Sequence, residues 1–160
     1  STCTEIINRA TAALGRLDGL VNAAGLWVEG ASELAREEDW AACIDVNLKA
    51  TFFLCSRAIP ALAATKGAIV NISSVVGLAP EFQMSVYGAT KAFVLFLSQG
   101  LQVELSAKGI YVQAVLPAGT YTFDSFNGYW SGTNSNTVTL SNALVNEDGI
   151  ILVDLILWSE

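Results

Sequence analysis

Three short apolar runs constrain this chain more than any other feature. Each closes on small or polar residues, and a helix-length segment separates each from the next. The first is Leu20-Val21, leading into Asn22-Ala23-Ala24-Gly25. The second is Gly67 to Ser73, and the third is Ile110 to Leu116, stopped by Pro117. Runs this short, rich in Val and Ile and bounded by turn residues, read as buried strands. Two-residue turns cannot join them, so hairpins are excluded. Strands linked by a dozen or more residues pair in parallel, with helices as the crossovers.

The intervening segments have helical spacing. Ile6, Ile7, Ala10, Ala13 and Leu14 mark one face of a helix from Glu5 to Leu14, with Gly15 as its stop. Ser32, followed by acids, opens a helical region, and a second helical stretch runs from about Asn47 to Thr65, with Pro60 at a kink or near its end. Ser85 to Lys108 reads as a long helix ended by Gly109, and Gly149 to Trp158 reads as a last apolar strand. The fold class is therefore α/β, a parallel sheet with helices on its faces. In such sheets ligands bind beyond the carboxyl ends of the strands. Chemistry is expected at Asn22 to Gly25, Ser73 to Gly77 and Pro117 to Thr122.

Composition narrows the function. Eight basic residues stand against 15 acidic ones, a net charge of −7, which argues against a nucleic-acid partner. No apolar run reaches the roughly 18 residues a membrane span needs. The absence of histidine removes imidazole bases and most zinc sites, so no metal is expected. Cys3, Cys43 and Cys55 have no C-x-x-C spacing and read as reduced thiols of a cytoplasmic protein. Asn71-Ile72-Ser73 matches a glycosylation sequon but lies inside a strand run and is set aside. The chain opens at Ser1 directly into a helix, which reads as a fragment or a processed chain. Residues 109–160 carry no base and 5 acids, and Asp124 to Asn142 is rich in Ser, Asn, Thr and Gly and reads as a long loop.

Tyr87 and Lys91 lie four apart in the long helix, so they share a face. An ammonium beside a phenol favours the phenolate and lowers its pKa, and a tyrosine so tuned exchanges a proton with a carbonyl or alcohol oxygen. An ordinary half-exposed pair is the alternative. Ser74, at the end of the second strand, can hold the oxygen that Tyr87 protonates, or can cap a turn. The Asn47 amide can hold a water that relays protons to a lysine, or can mark a kink. Asn22 at a strand end reads most simply as a local backbone contact.

Together these segments resemble the short-chain dehydrogenase/reductase family over about Glu5 to Thr122. The matching pieces are Gly15-Arg16-Leu17-Asp18 before Leu20 to Gly25, Asp45-Val46-Asn47-Leu48, Ile69 to Ser74, Tyr87-Gly88-Ala89-Thr90-Lys91 and Val115 to Thr120. The resemblance implies a partial Rossmann-like, doubly wound parallel sheet over residues 1–122, and a divergent segment over 123–160 with a loop and a last strand. It implies an oxidoreductase interconverting a small-molecule carbonyl and alcohol with NAD or NADP. Tyr87 is then the acid/base, Lys91 lowers its pKa and holds the nicotinamide ribose, Ser74 polarises the carbonyl, and Asn47 holds the relay water. Asn22, Ala23 and Gly25 line the adenosine side, and Pro117, Thr120 and Thr122 embrace the nicotinamide end. The resemblance also implies a homo-oligomer through the two long helices, near Asn47 to Ala64 and Ser85 to Lys108.

The sequence departs from the family in three places. Ala23 stands where a second Asn is commonest, and Gly119 comes one place late after Pro117. The glycine-rich turn T-G-x-x-x-G-x-G is absent, and with it the first strands of the family's sheet. That leaves the strand at Leu20 to Asn22 with a bare edge. The competing reading is a catalytically inactive fragment of this family that acts at most as an interaction module through its helices.

Overall fold

The computed structural model describes residues 2–117 and, beyond them, the strand backbones at 121–125, 129–132, 137–139, 143–145 and 151–153. The chain divides into two units, Ser1–Val115 and Leu116–Glu160. The first unit opens with helix α1 (Thr2–Leu14) and strand β1 (Gly19–Asn22). A short 3-10 turn at Ser32–Leu34 precedes α2 (Glu37–Cys43), whose first turn carries Glu37, Glu38 and Asp39. A π-helical turn, Ile44–Ala50, joins α2 to α3 (Thr51–Thr65). Strand β2 (Ala68–Ile72), a 3-10 turn at Val75–Gly77, helix α4 (Ser85–Leu105) and strand β3 (Tyr111–Val115) follow.

The three strands are parallel in the order β1-β2-β3, with Leu20 opposite Ile69 and Ile69 opposite Val112. Both crossovers step the same way across the sheet. Because such connections are right-handed, both put their helices on the same face. The core lies there. Ile7 of α1, Cys55, Ala58 and Leu62 of α3, and Leu101 and Leu105 of α4 bury Ile69 and Val112. Each buried Leu, Ile or Val side chain contributes about 1.5–3 kcal/mol by leaving water.

Among the described residues the helices cover this one face, not both. On the other, Val21 is 63% and Tyr111 46% exposed. β1 pairs with β2 alone among the described residues, so its second edge is bare, as its place in the family pattern implies.

The second unit has a different architecture. Strands β4 (Tyr121–Ser125), β5 (Tyr129–Gly132) and β6 (Thr137–Thr139) form an antiparallel sheet, and β7 (Ala143–Val145) pairs antiparallel with β8 (Ile151–Val153). The stretch read as a long loop therefore holds strand backbone. Tyr, Trp, Thr and Val punctuate its Gly and Asn, and those side-chain types suit a pleated backbone. The run at Gly149 to Trp158 does contain a strand, but it pairs with β7 and not with the parallel sheet.

Candidate active site

The carboxyl ends of β1 and β2 and the first turns of α4 converge on one cleft. Tyr87 and Lys91 are on α4, and the Lys91 Nζ lies 5.5 Å from the centroid of the Tyr87 ring. Lys91 is 5% exposed, and its ammonium donates a 3.0 Å hydrogen bond to the Ile72 carbonyl at the end of β2. Ser73 is buried beside it and donates to the Lys91 carbonyl at 2.7 Å, fastening the strand end to the helix. Ser74 follows in extended backbone and caps the 3-10 turn, its hydroxyl accepting from the Val76 N–H at 3.4 Å.

This turn lies hard against α4. A Cβ at Gly77 would stand 2.8 Å from the Ala92 nitrogen and the Lys91 carbonyl carbon, so only glycine lets the backbones approach this closely. The contact brings the Ser74 hydroxyl near the phenol of Tyr87, close enough to favour its charged form.

Burial pushes the Tyr87 phenol above its ordinary range, and the Ser74 hydroxyl pulls it part of the way back. Burial likewise lowers the Lys91 ammonium. The expectation that Lys91 lowers the Tyr87 pKa is therefore corrected: desolvation dominates both groups, and the ammonium is directed at Ile72 from over the ring. A phenol held in its neutral form at neutral pH is a proton donor.

Asn47 sits within the π-helical turn and is 1% exposed. Such turns interrupt helices where a side chain must be re-aimed. Its Oδ1 accepts from the Leu26 N–H at 2.7 Å, and its Nδ2 donates to the Leu26 carbonyl and to the Thr90 hydroxyl, each at 3.0 Å. The side chain is thus a brace between the β1 exit and α4, with its amide already engaged by protein. Gly25 stands next to it: a Cβ there would come within 3.4 Å of the Lys91 Nζ and 3.8 Å of the Asn47 Oδ1.

Asn22 turns inward, away from the backbone role expected of it. Its Nδ2 donates to Asn71 at 2.8 Å, and Asn71 donates in turn to Ser98 at 3.0 Å. This buried polar ladder ties β1 to β2 and α4 just behind the cleft. Ala23 continues from it into the exposed exit loop. Pro117 follows β3 in the second unit, the Thr122 backbone lies in β4, and Thr120 falls outside the described residues.

Sequence reasoning missed Thr90, which accepts from Asn47 and donates to the Tyr87 carbonyl at 2.7 Å. It also missed Trp27, whose indole stacks on Tyr87 with ring centroids 5.2 Å apart. For Thr90 the three-residue step from Tyr87 was a usable signal. For Trp27, in an irregular loop, there was none.

A parallel sheet with a Ser, Tyr and Lys gathered at its strand ends defines a class of nucleotide-dependent α/β protein. The family model described as short chain dehydrogenase matches residues 1–126, and the chain belongs to that family. It is 40% identical over 111 residues to a 3beta-hydroxysteroid dehydrogenase of Mediterraneibacter gnavus, covering 68% of this chain and 40% of that protein. It is 37% identical over 114 residues to a 3-oxoacyl-[acyl-carrier-protein] reductase of Thermotoga maritima, covering 71% and 46%. A short-chain dehydrogenase from Sphingobium yanoikuyae solved in complex with NADPH superposes with a TM-score of 0.66 at 48% identity, covering 73% of this chain and 46% of that one. The chain spans about half the length of the curated relatives it matches.

Proposed function

We propose that the cleft is the catalytic half of an NAD(P)-dependent oxidoreductase that interconverts a carbonyl and an alcohol. The observation that carries this reading is the meeting of Ser74 and Lys91 at Tyr87, a half-buried phenol that stays protonated at neutral pH. The Lys91 ammonium next to the Gly25 backbone fits a nicotinamide nucleotide, because an ammonium there can donate to a ribose hydroxyl. The relative solved with NADPH supports the same cofactor class. Ala23 and Gly25 are the residues of this unit proposed to flank it. Asn22 supports that wall from behind.

The cofactor supplies or accepts the hydride. The chain supplies position and a proton. Ser74 donates a hydrogen bond to the substrate oxygen and holds it at the phenol. Tyr87 gives its proton to that oxygen in reduction and recovers it from the alcohol in oxidation. Lys91, paired with the Ile72 carbonyl and next to the Gly25 backbone, is the group that holds the nicotinamide ribose. Asn47 holds the β1 exit loop against α4 so that these groups stay in register.

The same chain presents Phe93, Phe96 and Val103 on the outer side of α4 and Phe52 on α3, with Phe96 78% and Val103 79% exposed. These residues favour a homo-oligomer through the two long helices, which Phe96→Glu should dissociate in sedimentation velocity. No helix among the described residues is long and apolar enough to cross a membrane. The three free thiols suit a reducing cytoplasmic setting.

Titration of NADPH fluorescence with the purified chain tests cofactor binding. Saturable enhancement is expected, and Lys91→Ala should weaken it. No binding at millimolar NADPH would reject the catalytic reading and leave the helices as the chain's working surface.

A further inference from the structure

Resting on that reading, we infer that Trp27 sets the substrate class, selecting carbonyl compounds with a flat aromatic substituent. The Trp27 indole lies on the Tyr87 ring with an interplanar angle of 29°, so one face of the proton donor is covered. The indole N–H donates to Glu29 at 3.2 Å, which fixes the ring's orientation. Trp27 nevertheless remains 54% exposed, so much of its surface is free for a ligand.

A phenol donates its proton close to the plane of its own ring. A carbonyl oxygen accepting that proton therefore approaches past the edge of the stacked indole. One substituent of the carbonyl then lies along the indole, where a planar ring gains contact over its whole face and a puckered ring does not. A cavity of about 240 Å³, lined by Val28, Leu34, Trp40 and Val86 among others, includes the chain neighbours of both aromatic residues. The loop carrying Trp27 is held in place from the other side. Gly30 donates to the Gln83 carbonyl at 2.9 Å, and the Ser32 and Ser85 hydroxyls lie 3.0 Å apart.

The test compares acetophenone with cyclohexyl methyl ketone, which match in size and differ in flatness. Affinities of the wild type and variants are measured by isothermal titration calorimetry, and the place of binding is read from the tryptophan indole N–H signals in ¹H–¹⁵N spectra of the wild type, with Trp27's signal assigned by its loss in Trp27→Phe. Acetophenone is expected to shift that signal and to bind about three- to tenfold tighter than the saturated ketone. Trp27→Phe, which keeps a flat ring, should keep the preference, and Trp27→Leu should bring the ratio near one. An unmoved Trp27 signal, or a ratio unchanged in Trp27→Leu, would overturn the inference. The readout needs no turnover, so failure here is distinct from failure of NADPH binding, which bears on the catalytic reading itself.

Discussion

Asn47 clasps the backbone of Leu26 from both sides, accepting from its N–H at 2.7 Å and donating to its carbonyl at 3.0 Å. The side chain acts as a missing strand partner for a loop that has none. Asn47→Leu keeps the branched shape and leaves two partly buried backbone groups of Leu26 without this partner. Each unpaired group costs about 1–3 kcal/mol, so a loss in that range or above is expected in urea unfolding. Asn47→Asp, which still accepts from the N–H but sets a carboxylate against the carbonyl, should also destabilise, and more so as pH rises from 4 to 7.

A second prediction concerns the turn that carries Ser74. The Gly77 backbone touches α4 so closely that an added methyl meets main-chain atoms of Lys91 and Ala92. Backbone cannot swing away as a flexible side chain can. Gly77→Ala should therefore cost about 1–3 kcal/mol in chemical unfolding, the usual range for overpacking. Gly100→Ala is the control, because a Cβ there meets nothing within 4 Å.

The Tyr87 phenol should titrate late. Subtracting the alkaline difference spectrum of Tyr87→Phe from that of the wild type isolates its phenolate. That component should appear above the ordinary tyrosine value of 10.0, because burial opposes the charge. Ser74→Ala should push it higher still, since the serine hydrogen bond is what draws it down. The linkage has a definite sign. A folded-state pKa above the unfolded value means that Tyr87 contributes stability below pH 10 and loses it as pH rises through the raised value.

Thiol reactivity offers a separate check on the core. Cys55 is fully buried, and burial lifts its thiol to about 11. Cys43 is also fully buried and its thiol is raised by the same cause. At pH 8 the native chain should react rapidly with a thiol reagent at Cys3 alone, which is partly exposed, and at all three cysteines after denaturation. Rapid native labelling of Cys55 would mean that α3 does not pack on the sheet as described.

The strands of the parallel sheet and the long helix were legible because each is a local pattern with clear stops. Gly15, Gly109 and Pro117 mark ends that the structure places within a residue or two of the helices and strands they close. The pair Tyr87 and Lys91 was legible for the same reason, since helical spacing alone puts them on one face. The balance of their charges was not. Whether the ammonium or the desolvation governs the phenol depends on where Nζ points, and a carbonyl on β2 decides that. Asn47 was legible as a special position but not as a brace, because its partner Leu26 is distant in sequence and lies in an irregular loop. The inward turn of Asn22 needed the register that sets it opposite Asn71. In the second unit the strands are three to five residues long and the turns fill the space between them, so composition read as loop.

The central claim is that Tyr87 moves the substrate's proton. It is tested most directly by following NADPH oxidation at 340 nm with an aromatic ketone, in the wild-type chain and in Tyr87→Phe. The account predicts that the variant loses about 100-fold or more of the turnover rate, as removal of a positioned acid does, while its NADPH affinity changes by less than about twofold. Turnover in Tyr87→Phe equal to that of the wild type would contradict it.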